Sequence, residues 1–116
     1  TLAGVVGAAT SWSADGMGIA ASFYEPQGVA VDGAGNVYVA DRNNHAIRKI
    51  TPAGAVTTLV GVAGTMGFLP GGLPGLLGRP EGVAVRGSTL YVTTYNGVAV
   101  VRWLLRIFGL WHGGLP

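Results

Sequence analysis

The segment Pro26-Gln27-Gly28-Val29-Ala30-Val31, followed by Asn36-Val37-Tyr38-Val39-Ala40-Asp41, recurs as Pro80-Glu81-Gly82-Val83-Ala84-Val85 and Thr89-Leu90-Tyr91-Val92-Thr93-Thr94. A repeat on this scale describes a supersecondary unit that cannot bury its apolar surface alone and is stabilised by stacking on its neighbours. The repeat therefore constrains architecture strongly and chemistry hardly at all.

Within 116 residues there is room for one domain and one modest core. The 21 glycines and 6 prolines approach a low-complexity composition, yet 49% hydrophobic and only 10% charged residues argue against disorder. The glycines are expected in tight turns between short strands. The absence of cysteine excludes disulfides, thiolate metal sites and cysteine nucleophiles. A formal charge of +2 is too small to argue for nucleic acid, which is not expected as a partner. The charge is uneven: residues 1–60 carry Arg42, Arg48 and Lys49 against Asp15, Glu25, Asp32 and Asp41, whereas residues 61–116 carry Arg79, Arg86, Arg102 and Arg106 against Glu81. No basic region precedes an apolar core in Thr1-Leu2-Ala3-Gly4, so no signal peptide is visible.

Residues 28–60 divide into four short apolar runs, at 28–31, 37–40, 46–50 and 56–60, each bounded by turn formers. That spacing predicts a four-stranded antiparallel meander. Asp32-Gly33-Ala34-Gly35-Asn36 and Thr51-Pro52-Ala53-Gly54 supply residues that tolerate or preset turn dihedrals, and Asn96-Gly97 is a hairpin signal in the second copy. Polarity rises from the first run to the Arg48-Lys49 and Thr57-Thr58 pairs, which predicts a first strand at a crowded centre and a last strand in water. Arg48 and Lys49 are expected to be solvated, with their stems against the sheet. Thr1-Leu2-Ala3-Gly4 is similar to Thr58-Leu59-Val60-Gly61, which predicts that residues 1–6 form the outer strand of a preceding unit.

The run Pro26-Gln27-Gly28-Val29-Ala30-Val31-Asp32, then Gly35-Asn36-Val37-Tyr38-Val39-Ala40-Asp41, then Asn43-Asn44-His45-Ala46-Ile47-Arg48-Lys49-Ile50, resembles an NHL repeat, the blade unit of a class of β-propellers. The resemblance implies an all-β fold of two four-stranded antiparallel blades in one domain over 1–116, with blade one at 26–61 and a degenerate blade two at 80–111. In the second copy Arg86 replaces Asp32, Thr94 replaces Asp41, and Val98 is aligned with His45. Two blades make an incomplete ring, since closed propellers need about 4 to 8. If several hundred Å² of apolar face stays uncovered, the unmet burial is on the order of 10 kcal/mol per face, which favours closure by oligomerisation or by further blades.

Asp41, Arg42, Asn43, Asn44 and His45 form the one polar cluster of the first copy, and Tyr95 and Asn96 stand at the matching turn of the second. These are the candidate partner-binding residues, set against a turn-stabilising role that weighs more heavily for Asp41 to His45. One His and one Asp fall short of a metal site, and Ser11, Ser13, Ser22 and Ser88 show no nucleophile motif, so neither cofactor nor metal is expected. Tyr38 and Tyr91, at equivalent repeat positions, are expected in the core. The segment 102–111, with Arg102 and Arg106 opposite Leu104, Leu105, Phe108 and Trp111, has the pattern of a short membrane-surface helix, although a fourth strand or a plug over an open face is preferred. The resemblance implies a non-catalytic binding or scaffold module presenting loops to a protein or glycan partner. It slightly favours an extracellular or cell-envelope location. The alternative is part of a propeller enzyme, a metal-dependent lyase or hydrolase whose catalytic residues lie in other blades.

Overall fold

The computed structural model describes residues 2–4, 14–61, 78–95 and 97–102. They contain β1 (Gly16–Met17), β2 (Pro26–Val31), β3 (Val37–Asp41), β4 (Ala46–Ile50), β5 (Ala55–Val60), β6 (Gly82–Arg86), β7 (Thr89–Thr93) and β8 (Val98–Arg102), with short 3-10 turns at Gly18–Ala20 and Arg42–Asn44. The strands form two open antiparallel sheets, one ordered β1-β5-β4-β3-β2 and one ordered β6-β7-β8. Both are propeller-type blades, as the repeat predicts.

Each sheet departs from the expected four strands. In the first, Gly16 and Met17 pair with Val56 and Ala55, adding a short strand outside β5. Leu2 to Gly4 are not strand; instead the Gly4 N–H donates to Gly18 O at 3.0 Å. In the second sheet, β8 is the last described strand, and the tail expected to supply a fourth lies outside the described residues. Register also corrects one alignment: Val98 faces Thr93 as Ile47 faces Ala40, so Val98 corresponds to Ile47 and not to His45.

The turns form where the residues can satisfy the backbone locally. Asp32 accepts from the Ala34 N–H (3.0 Å), the Asn36 N–H (2.9 Å), Asn36 Nδ2 (3.0 Å) and the Tyr38 hydroxyl (2.8 Å). Burial pushes this carboxyl up, but the hydrogen bonds from Asn36, Tyr38 and Ala34 outweigh it and hold its pKa at about 2. The same environment drives the Tyr38 hydroxyl upward, through burial first and then its bond to Asp32.

Cross-strand partners share a face, so Ala30, Tyr38 and Lys49 line one side of the first sheet together with Ala40, Ile47 and Val60. This front face packs on the back face of the second sheet, where Leu90, Val92 and Val101 complete the main core with Val83, Val85 and Ala99 beside them. The inner strands come closest at Gly28, where a Cβ would lie 2.7 Å from Glu81 O and 2.9 Å from Gly82 Cα. Gly28 thus sets how near β2 and β6 can approach.

On the back of the first sheet, Ile50 and Val56 are covered by Ala21, with Phe23, Ala3, Val37 and Val39 around them. Burial does not follow the predicted gradient. It is greatest in β3 and β4, whereas β2 leaves Val29 and Val31 exposed, because β2 is an edge strand with no sheet behind it among the described residues.

Arg48 is the largest departure from the expected pattern, being fully buried. Its Nη1 donates to Asp41 Oδ2 (2.9 Å) and Ser22 O (2.6 Å), and its Nη2 to Ala14 O (2.8 Å) and Asp15 Oδ1 (3.0 Å). The Phe23 ring lies against it, with the guanidinium carbon 4.9 Å from the ring centroid. One cation therefore fastens the 14–23 connection onto the back of the sheet.

Removing one partner of a buried ion pair strands the other charge, at a cost of about 3–5 kcal/mol. Arg48→Met is expected to lower the folding free energy by that amount, read as a shift in the urea midpoint. Gly28→Ala is expected to cost roughly 1–3 kcal/mol, because the backbone of β6 must retreat. The same measurement checks it, with Gly82→Ala as a control that meets only the Thr93 hydroxyl, at 3.0 Å.

Candidate functional site

Antiparallel connectivity gathers four turns at one end of the molecule: residues 24–25 before β2, 42–45 between β3 and β4, 79–81 before β6, and 94–97 between β7 and β8. This rim spans both sheets. The Asn43 N–H donates to Tyr24 O at 3.0 Å, and the Glu81 N–H to Thr93 O at 2.8 Å. Across the sheet boundary the Arg79 N–H donates to His45 Nδ1 at 3.1 Å.

Buried bonds beneath the rim fix its shape. Asp41 Oδ1 accepts from the Tyr24 N–H (2.8 Å), while Oδ2 accepts from Asn44 Nδ2 (2.7 Å) and from Arg48. Asp41 and Asn44 are buried, so their polar groups hold the turn from inside and are not presented to solvent. Arg42, Asn43 and His45 remain partly exposed at the surface, and Tyr95 is 59% exposed at the neighbouring turn. Asn96 lies outside the described residues. Of the sequence-derived candidates, the fold therefore brings Arg42, Asn43, His45 and Tyr95 to one rim.

Arg42 joins the two sheets electrostatically. Its Nε lies 3.0 Å from Glu81 Oε2, outside hydrogen-bonding alignment, and its Nη1 lies 3.6 Å from Glu25 Oε1. Among the described residues, the non-glycine positions with positive φ are Glu25 (53°), His45 (56°) and Arg79 (39°), all on this rim. Such backbone costs of order 1–3 kcal/mol per residue and persists where surrounding bonds over-determine it. Glu25, Arg79 and Glu81 were not singled out by sequence reasoning. The available signal was positional: Glu25 and Arg79 each precede the proline that opens a repeat, where α-helical dihedrals are disfavoured.

Chemically the rim offers ion-paired carboxylates, a guanidinium, an amide and an exposed phenol. Among the described residues, no three His, Asp or Glu side chains are grouped to hold a metal ion. Glu25 and Glu81 both face Arg42 as its ion-pair partners.

His45 makes the rim sensitive to pH. An Nδ1 that accepts a backbone hydrogen bond carries no proton, and burial followed by the nearby Arg79 charge holds His45 below its ordinary pKa of 6.5. Its contribution to stability is therefore present above 6.5 and lost as pH falls through the lowered folded-state value. Thermal midpoints are expected to fall on acidification from about pH 7 to pH 5, and to fall less in His45→Asn, which tolerates the left-handed backbone and does not titrate.

Comparison with known proteins agrees with this architecture. A family model of the NHL repeat matches residues 23–50, which contain β2, β3, β4 and the first rim turn. No curated protein matches the chain by sequence. An auxiliary nutrient binding protein from Bacteroides thetaiotaomicron VPI-5482 superposes with a TM-score of 0.70 at 26% identity, covering 85% of this chain and 28% of that one. A second auxiliary nutrient binding protein, from Bacteroides ovatus ATCC 8483, gives a TM-score of 0.65 at 24% identity, covering 79% of this chain and 26% of its own. A structural genomics protein of unknown function from Bacteroides thetaiotaomicron VPI-5482 gives 0.68 at 24%, covering 79% and 25%. The chain thus spans about a quarter of the length of each of these structures. With the strand order, the blade-on-blade core and the matched segment all in hand, residues 23–50 match the NHL repeat and lie in the first of two propeller-type blades.

Proposed function

We propose that this chain is a non-catalytic binding or scaffold module that presents its rim turns to a protein or glycan partner. The observation that carries the reading is the convergence of turns from both blades on one end, those of the first blade held from beneath by the Asp41–Arg48 pair. Rigid sheets that fix variable loops are a common way to build a recognition surface. Two of the similar solved structures are named as auxiliary nutrient binding proteins, which supports ligand binding as the general role.

Tyr95 is the anchor of this reading. An exposed phenol offers a flat apolar face and one hydroxyl with little side-chain freedom to lose, properties that suit sugar rings and protein hot spots alike. Asn43, on the first blade's side of the rim, supplies an amide donor and acceptor, and the Arg42 ion pairs tie its turn to Glu25 and Glu81. Contact with further blades or with copies of the chain belongs to the faces of the sheets and not to this rim.

A panel of immobilised oligosaccharides and a proteome-derived peptide library would identify the class of partner. Tyr95→Ala is then expected to weaken the captured interaction at least about tenfold, or ~1.4 kcal/mol, with an unchanged thermal midpoint. Binding that persists at full strength in a Tyr95→Ala, Asn43→Ala double variant would place recognition elsewhere.

A further inference from the structure

The junction between the two blades joins unlike surfaces, and each of those surfaces has a counterpart on the outside of the pair. The front of blade one, carrying Tyr38, Ala40 and Ile47, is covered by the back of blade two, carrying Val83, Val85, Leu90 and Val92. By strand register, Ala30, Tyr38, Ile47 and Lys49 of blade one correspond to Ala84, Tyr91, Val98 and Val100 of blade two. The first set faces the core or its margin, whereas among the described residues Tyr91, Val98 (67% exposed) and Val100 form an open apolar patch on a front whose far end carries the exposed Arg86 and Arg102. The repeat likewise makes Val29 and Val31 the counterparts of Val83 and Val85. Val83 and Val85 pack into the junction, but Val29 is 63% exposed and Val31 also lies open, on the back of blade one.

The geometry points to a second copy of this chain as the occupant: the open front of blade two in one molecule seats the back of blade one, through Val29 and Val31, in another. Three observations favour that partner. First, the two exposed patches are the unmatched halves of an interface the molecule already makes internally, so the pairing continues an existing contact. Second, the inner strand at the open front has Gly82 at the position equivalent to Gly28, the residue that lets β6 come close to β2. A Cβ at 82 would meet only Thr93 of its own blade, which leaves the approach side clear. Third, the connection fastened by Arg48 covers Ile50 and Val56 at the outer half of the back face but stops short of Val29 and Val31. The uncovered strip is the inner strand, where blade meets blade in the internal junction.

Such a contact is head-to-tail, because front and back are different surfaces, and it extends by addition until the rotation closes a ring. It is independent of the rim reading, since neither patch contains Arg42, Asn43, His45 or Tyr95. Partner binding at the rim and association through the faces therefore fail separately.

Sedimentation velocity at concentrations from about 1 to 100 µM brackets the affinities expected of a modest interface. The native chain is expected to sediment above monomer mass with rising concentration. Val29→Glu, which spoils the back, and Tyr91→Glu, which spoils the front, are each expected to be monomeric alone. An equimolar mixture of the two retains one intact front and one intact back, and is expected to give a dimer that grows no further. Circular dichroism verifies that both variants keep the native strand spectrum, and Val31→Lys with Val98→Lys forms a second pair if either does not. A native chain that stays monomeric throughout would overturn the proposal, as it would if its own residues 103–116 or another blade of a longer polypeptide occupied the front. Self-association of either variant alone, or a mixture without dimer, would also overturn it.

Discussion

A charge buried in a small all-β protein has to be compensated, and the Arg48 guanidinium meets two carboxylates, two backbone carbonyls and an aromatic ring, with its Nε alone lacking a hydrogen-bond partner among the described residues. Without these groups, desolvating the cation would be prohibitive. With them, the cation becomes the joint between three parts distant in sequence. Asp41 closes β3, Ala14 and Ser22 belong to the connection, and Asp15 also accepts from the Thr58 hydroxyl on the outer strand at 2.9 Å. Because Asp41 also receives the Tyr24 N–H, the same pair sets the height of the turns at the rim. Rim geometry and back-face cover are thus two outcomes of one buried interaction.

The second blade shows what happens when that interaction is absent. Thr94 stands in the repeat for Asp41, and by register Ala99 takes the place of Arg48, facing Val92 as Arg48 faces Val39. A back face with alanine there is apolar throughout its centre, and it packs directly on the front of blade one. A back face with a buried arginine is polar at its centre and receives a connection rich in carbonyl acceptors. The divergence of the copies therefore follows what each back face must meet: a sheet in one case, a loop in the other.

Much of this fold was legible because its signals are local. The runs at 28–31, 37–40, 46–50 and 56–60 appear as β2 to β5 with ends shifted by a residue or two, since turn residues such as Asp32 and Thr51 act within a few positions of themselves. What was not legible depends on distance. Arg48 reads as a solvated strand residue until Ala14 and Asp15, more than thirty positions away, are seen to surround it. Val29 and Val31 read as part of a crowded centre because a repeat implies neighbours on both sides, whereas the described residues place a sheet on one side only. Tyr38 and Tyr91 illustrate the same point: identical positions in the repeat, one in the core and one at the surface, because among the described residues a second sheet packs on the face of Tyr38 and none on that of Tyr91. At the rim, Asp41 to His45 were identified as a cluster, but their division into buried supports and surface groups required the register of β3 and β4.

On the proposed reading of the rim, this division gives stability and recognition to different residues. Exposed ion pairs such as Arg42 with Glu25 contribute at most about 1 kcal/mol, so their identity is weakly constrained by folding. Face positions such as Ile47, Leu90 and Val92 sit in the junction, where losing a large side chain costs about 2–5 kcal/mol. Substitution can therefore reshape the rim while leaving the blades intact, whereas change in the faces alters what the blades pack against. A chain of repeats becomes a specific binder by that route: the sheets keep the turns at a fixed spacing, and the turns vary without unfolding the sheets. The buried Asp41–Arg48 pair lies at the boundary between the two regimes, and it is the residue pair through which a change of fold stability would be transmitted to the rim.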